Sequence, residues 1–243
     1  MNTVAISIYQ FTTFSSAAHA GRQHKTTPTS EKLHDQINTL MRDKKSELER
    51  RGVDTTVFYN HHPETGKTLM RYPLVIYHCI GNRYYLTGIN HGAYALDQLA
   101  ALYPGTFPIG QNTLGQFMQQ TPTAQAPIGI TAAPCTYKLV EWRPMHHRDL
   151  KAYNKQPLTA KVASLNQRLH NHIANQLGKY LEIELDGLQV EIIDIEKIYP
   201  MALFKGEHPY PAYDICFTAN LALPGMITLG NHQSLGYGRV EPA

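Results

Sequence analysis

Arg71-Tyr-Pro-Leu-Val-Ile-Tyr-His-Cys-Ile80, Gly81-Asn82, Arg83-Tyr-Tyr-Leu-Thr-Gly-Ile89 is the stretch on which the fold turns. Two aromatic and β-branched runs flank a Gly-Asn pair, and such a pair between apolar runs makes a tight hairpin. On its C-terminal side Ala93, Leu96, Leu99, Ala100 and Leu102 recur at helical spacing. On its N-terminal side Val4, Ile6 and Ile8 alternate with Thr3, Ala5 and Ser7, as in a half-buried strand. A small, polar loop covers residues 12–29. Leu33, Ile37, Leu40 (or Met41) and Leu48 then mark one face of a helix that Thr29 or Ser30 caps and Gly52 ends. Residues 55–59 read as a short strand and residues 61–67 as a turn punctuated by Pro63 and Gly66. Strand, helix, strand, strand, helix is the start of a ferredoxin-like βαββαβ unit.

Residues 104–134, rich in Pro, Gly, Gln and Thr, read as a loop with a returning strand near 128–130. The domain boundary falls there, giving domains at 1–130 and 131–243. The second half repeats the theme. A strand at 135–142 precedes a long amphipathic helix marked by Leu158, Val162, Leu165, Leu169, Ile173 and Leu177. Strands follow at 188–195, 201–204 and 213–223. The expected fold class is α+β, two tandem ferredoxin-like (RRM-like) βαββαβ domains.

A chain of 243 residues that is 42% hydrophobic and 17% charged can bury a core, which argues against disorder. No apolar run approaches the ~18 residues of a membrane span, and the N-terminus reads as a strand and not a signal peptide. Cys79, Cys135 and Cys216 fit neither a disulfide framework nor a zinc spacing, so buried, reduced thiols and a cytoplasmic location are expected. Charge is segregated: residues 138–181 carry +6 and residues 182–243 carry −6. A basic middle beside an acidic end gives one face suited to a polyanion. The 13 histidines supply groups that titrate near neutrality.

The last segment, Gly230-Asn-His-Gln-Ser-Leu-Gly236-Tyr-Gly238-Arg239, has glycines where backbone N–H groups could approach phosphates without a Cβ in the way. His232, Gln233, Ser234 and Arg239 add donors. No Lys-Ser/Thr follows the last glycine, as a Walker loop requires, and no helix follows, as a dinucleotide site requires.

A C-terminal Gly-x5-Gly-x-Gly loop after a Leu-Pro turn resembles that of the Cas-six type of CRISPR-associated endoribonuclease. The hairpin 71–89, Asn171-His-Ile-Ala-Asn-Gln-Leu on the long helix and Tyr213-Asp-Ile-Cys-Phe-Thr-Ala-Asn before the loop are similar to subfamily b of that family. Thr228 stands where the family usually has a further glycine, and no Lys or Arg lies between Gly230 and Gly236.

The resemblance implies metal-independent cleavage of CRISPR precursor RNA within its repeats, as part of CRISPR antiviral defence. The ribose 2′-hydroxyl attacks the adjacent phosphate, leaving 2′,3′-cyclic phosphate and 5′-hydroxyl ends. RNA supplies its own nucleophile, so the protein need only move protons and offset charge. No cofactor and no metal site is expected. The resemblance points to His61 as catalytic, with Tyr59 on the same face of an extended strand, and to His62 if the turn begins earlier. Arg71, Gly230, His232, Gln233, Ser234, Gly236, Gly238 and Arg239 are the expected RNA contacts. His19 and His24 are the competing catalytic candidates. CRISPR repeat RNA is the expected partner, CRISPR effector or adaptation proteins are further ones, and no membrane is involved. Two rivals fit the same residues: a non-catalytic RNA-binding subunit of this fold, which needs no His motif, and a small α/β protein whose glycine loop binds a nucleotide or metabolite.

Overall fold

A computed structural model of the chain describes residues 2–15, 29–59, 71–110, 113–201 and 210–243. The elements among them are β1 (Asn2–Ser15), α1 (Ser30–Asp43), α2 (Lys45–Arg50), a 3-10 turn (Thr55–Phe58), β2 (Val75–Ile80), β3 (Arg83–Ile89), α3 (His91–Leu102), β4 (Thr106–Gly110) and β5 (Thr113–Trp142). They continue with α4 (His147–Asn154), α5 (Leu158–Ile173) running on as a π-helix (Ala174–Lys179), β6 (Val190–Met201), β7 (Tyr210–Ala222), a 3-10 turn (Gln233–Leu235) and β8 (Arg239–Pro242). The fold is α+β, and its strands pair antiparallel. Two compact units divide it: Val4–Ala126 with Ser234–Gly236, and Met1–Thr3 and Pro127–Gln233 with Tyr237–Ala243.

In the N-terminal unit the strand order is β2-β3-β1-β5, with β4 also on β5. Gly81 takes a positive φ of 60° at the hairpin turn, where a Cβ would be strained. Thr29 caps α1 through its side chain, which accepts from the Lys32 N–H at 3.3 Å. Leu33, Ile37, Leu40 and Met41 of α1 then enter one core with Phe11, Val75, Tyr77, Leu86, Leu96 and Leu99. In the C-terminal unit β7 pairs with β5 and β6, and β8 pairs with the other edge of β5. Leu165, Leu169 and Ile173 bury the inner face of α5, and Asn166 Oδ1 accepts from the Ile192 N–H of β6 at 2.7 Å. No helix among the described residues is long and apolar enough to cross a membrane.

Several expectations need correction. Residues 55–58 are a 3-10 turn, because Asp54 accepts from the Thr56 N–H at 2.9 Å and closes the turn locally. The expected first helix breaks at Lys44 into α1 and α2. Most of residues 104–134 form strand and not loop: β4 pairs with the start of β5, and β5 runs on beside β1 and β7, so inter-strand pairing overrides the loop-like composition of a Pro- and Gly-rich segment. α4 was not foreseen. Between β7 and β8 the C-terminal unit has no second helix; the glycine-rich loop stands in its place. Residues 202–204 of the expected strand 201–204 lie outside the described residues.

The tightest approach near the hairpin is at Gly92, in the first turn of α3. A Cβ there would come within 1.8 Å of the Leu74 carbonyl oxygen, the same oxygen that accepts the Ile89 N–H at 2.8 Å. Gly92→Ala is therefore expected to lower stability by about 1–3 kcal/mol through overpacking, read as a fall in denaturant midpoint. A midpoint equal to that of the unaltered protein would show that the turn relaxes freely.

Candidate functional site

The N-terminal unit carries a pocket of about 400 Å³ lined by His34, Asp35, Asn38, Thr39, Arg42 and Tyr59. His34, Asn38 and Arg42 are spaced i, i+4, i+8 and form one stripe of α1, beside the stripe that enters the core. Asn38 Nδ2 lies 3.0 Å from His34 Nε2, and Arg42 Nε donates to the Asn38 carbonyl at 3.3 Å. Asp35 Oδ1 is 3.5 Å from His34 Nδ1. Asn38 is buried and its Oδ1 has no hydrogen-bond partner among the described residues.

Two links hold Tyr59 at this pocket. Arg71 Nη2 donates to the Thr56 carbonyl at 2.5 Å and to Thr56 Oγ1 at 3.2 Å, and the buried Tyr77 hydroxyl donates to the Phe58 carbonyl at 3.0 Å. Both tether the 3-10 turn that ends at Tyr59. Burial raises the Tyr59 pKa, and the Arg42 charge opposes that shift, so the phenol stays protonated; its hydroxyl donates to Met41 Sδ at 3.8 Å. Tyr77 also meets the His34 ring edge-on, with centroids 4.9 Å apart. An imidazole, a guanidinium, a carboxylate and a phenol thus share one concave site. This set can transfer protons and offset developing negative charge.

The glycine-rich loop belongs largely to the C-terminal unit, and its glycines serve the protein's own packing. A Cβ on Gly238 would lie 1.8 Å from the Leu229 carbonyl oxygen, and one on Gly230 would lie 2.7 Å from Trp142 Cδ1. The Gly230 N–H donates to Gln176 Oε1 at 2.9 Å, and the Gly238 N–H donates to the Glu141 carbonyl at 3.2 Å. These two N–H groups are spent inside the protein, which corrects the expectation that they face phosphate. Arg239 is buried, with Nε and Nη2 at 2.9 and 2.6 Å from Glu241 Oε1, so it too is engaged internally. Gln233 Nε2 donates to the Thr228 carbonyl at 3.0 Å, and Thr228 Oγ1 donates back to the Gln233 carbonyl at 3.3 Å. Thr228, in place of a glycine, thereby braces the loop. Ser234 and Gly236 sit with the N-terminal unit, where a Cβ on Gly236 would come within 2.6 Å of the Tyr77 carbonyl oxygen.

Beside the loop, the Arg143 guanidinium lies over the Tyr237 ring at 3.5 Å. Trp142 Nε1 donates to His172 Nδ1 at 3.2 Å. Desolvation first, then the Arg168 and His146 charges, depress the His172 pKa to about 4. His232 is exposed, and desolvation, then the Arg143 and His146 charges, depress its pKa to about 4 as well. Among the described residues no group of three or more His, Cys, Asp or Glu could hold a metal ion.

Of the expected catalytic residues, Tyr59 lies in the pocket. His61 and His62, and the competing His19 and His24, lie outside the described residues. Arg71 acts on the 3-10 turn. The sequence reading missed His34, Asn38 and Arg42, although their i, i+4, i+8 spacing next to the apolar stripe was there to be read.

No protein-family model matches the sequence, and no curated protein matches it. Solved structures do. A crystal structure of Cas6b aligns with a TM-score of 0.71 at 16% identity, over 98% of this chain and 100% of that one. A second, of the CRISPR RNA processing endoribonuclease Cas6b, aligns at 0.60 and 15%, over 98% and 100%. Csf5, a type IV Cas6 crRNA endonuclease, aligns at 0.58 and 12%, over 98% and 99%. The chain has the Cas6 fold. Within that fold the pocket belongs to the N-terminal unit and the glycine loop largely to the C-terminal one.

The depressed histidines carry a pH signature. The unfolded chain takes up a proton on His172 near pH 6.5, while the folded protein resists it to about pH 4. Stability present above pH 6.5 is therefore lost as pH falls toward 4, by on the order of 3 kcal/mol for such a shift, and His232 adds in the same direction. His172→Gln, which keeps an acceptor for the indole N–H, is expected to flatten the pH dependence of the melting temperature between pH 7 and 4.5. An unchanged slope would mean that His172 is not held neutral.

Proposed function

We propose that the chain is an endoribonuclease that cuts CRISPR precursor RNA within its repeats by 2′-hydroxyl attack, leaving 2′,3′-cyclic phosphate and 5′-hydroxyl ends. The pocket of His34, Arg42 and Tyr59 carries this reading: it sets a proton carrier, a fixed cation and a phenol donor together on a chain with the Cas6 fold. The strand orders β2-β3-β1-β5 and β6-β7-β5-β8 support a reading as two tandem ferredoxin-like domains that share the long strand β5. The neighbours' names link this fold to CRISPR RNA processing, and repeat RNA is the partner we assign.

In this reading His34 and His61 share the two proton transfers, His61 following Tyr59 by two residues in the chain. Arg42 offsets the extra charge on the pentacoordinate phosphorus, and the protonated Tyr59 orients the phosphate. The reaction is metal-independent because the nucleophile is the RNA's own hydroxyl and its activation needs only a base. The basic segment 138–181 attracts the phosphate backbone, so binding weakens as salt rises.

The test is single-turnover cleavage of repeat RNA in EDTA, with analysis of the ends. A 2′-deoxy residue just upstream of the cut should permit binding and stop cleavage. His61→Ala and His34→Ala should each slow the reaction by about 10²–10⁴-fold with RNA affinity little changed, Arg42→Ala should also slow it, and Tyr59→Phe should have a smaller effect. Cleavage of the 2′-deoxy substrate, or loss of activity in EDTA, rejects the mechanism. Silent His34 and His61 variants beside an inactive His19→Ala or His24→Ala would move the chemistry to the loop after β1. RNA binding without any cleavage would make the chain an RNA-binding subunit.

A further inference from the structure

The glycine loop meets a helix in an unusual geometry. Gln176 turns its whole amide onto the Gly230 peptide: Oε1 accepts the Gly230 N–H at 2.9 Å and Nε2 donates to the Gly230 carbonyl at 2.8 Å. Gln176 can do this because the end of α5 is wound as a π-helix over Ala174–Lys179. In a regular α-helix each added residue turns the side chain by about 100°, and the wider π turn changes the direction in which Gln176 leaves the helix. Single π turns inside α-helices are rare and frequent at functional sites.

The clamp is one of several restraints on the same two residues. Gly230 has φ 106°, and the Trp142 ring blocks any Cβ there. The N–H and the side-chain Nδ2 of Asn231 both donate to the Arg143 carbonyl at 3.0 Å. The next residue, His232, has φ 61°, a conformation that costs a residue with a Cβ and persists where neighbours over-determine it. A rigid pair, Gly230-Asn231, is thus followed by His232, an exposed residue on a strained backbone. Its ring lies edge-on to Tyr237, with centroids 6.4 Å apart, and Tyr237 packs under the Arg143 guanidinium.

We propose that Gln176 is a positioning residue that acts through His232: by clamping Gly230 it holds His232 out from the loop as a contact for RNA. The proposal rests on the function proposed above. It assigns the rigidity of the loop to the clamp and the recognition to the side chain that the clamp presents, in place of the glycine N–H groups.

The experiment titrates a fluorescently labelled single-stranded repeat RNA against the full-length protein and its variants Gln176→Leu, His232→Ala and the double variant, with melting temperatures and amide hydrogen exchange at Gly230. Each single variant should weaken binding by about tenfold, the scale of one or two hydrogen bonds. The double variant should bind no more weakly than His232→Ala alone, because the clamp acts through that side chain. Gln176→Glu, which accepts the Gly230 N–H but cannot donate to its carbonyl, should fall between wild type and Gln176→Leu. Gly230 should lose exchange protection in Gln176→Leu while the melting temperature moves little. Additive losses in the double variant, or wild-type affinity for Gln176→Leu with Gly230 deprotected, overturn the proposal and leave the function intact. Absence of RNA binding by the wild-type protein overturns the function itself, and the proposal with it.

Discussion

A phenol hydroxyl under the helices of the N-terminal unit has to find an acceptor, and Tyr77 finds the carbonyl of Phe58. Tyr77 is 1% exposed, so losing that bond would leave a buried polar group unpaired. The requirement ties β2 to the 3-10 turn, and the turn delivers Tyr59. The same ring meets the edge of His34, so one side chain of the sheet sets the distance between a residue of α1 and a residue of a loop. The pocket follows from that arrangement: its polar stripe on α1 lies one step around the helix from the stripe that Leu33, Ile37 and Met41 bury.

The C-terminal unit solves a different problem. No α-helix connects β7 to β8, and the chain between them must cover ground as a loop. Glycines make this possible by letting backbone touch backbone, as Gly238 does at Leu229. The cost is that the N–H groups of Gly230, Asn231 and Gly238 are spent inside the protein, on Gln176, Arg143 and Glu141.

Charge is partitioned to match. On the strands, Lys138 pairs with Glu196 at 2.7 Å, Arg239 pairs with Glu241, and Asp214 accepts the Glu141 N–H at 2.8 Å. The cations of these strands are largely neutralised and acid predominates. Exposed Arg148, Lys151, Lys155 and Lys179 lie on α4, between the helices and on the π turn. Positive charge thus gathers on the helical elements of this unit and acid on its strands.

From the sequence alone, the hairpin, the apolar stripes of α1 and α5, the α+β class and the glycine loop could be read, because each depends on periodicity or on a turn residue within a few positions. The residues 55–58 could not: a side chain of Asp54 closes them into a 3-10 turn, overriding a β-rich composition. Nor could β4 and the first half of β5, whose strand character comes from pairing with each other and with β1 and not from their prolines and glycines. The site divides in the same way. The resemblance pointed to Tyr59; His34, Asn38 and Arg42 carry a helical spacing that is in the sequence, but only the fold brings the turn that ends at Tyr59 against that stripe. Gln176 shows the limit most clearly. It is an unremarkable helix residue in the sequence, and only the π turn and the positive φ of Gly230, 54 residues away in the chain, make it a clamp, because a hydrogen bond depends on distance and direction in space and not on separation along the chain.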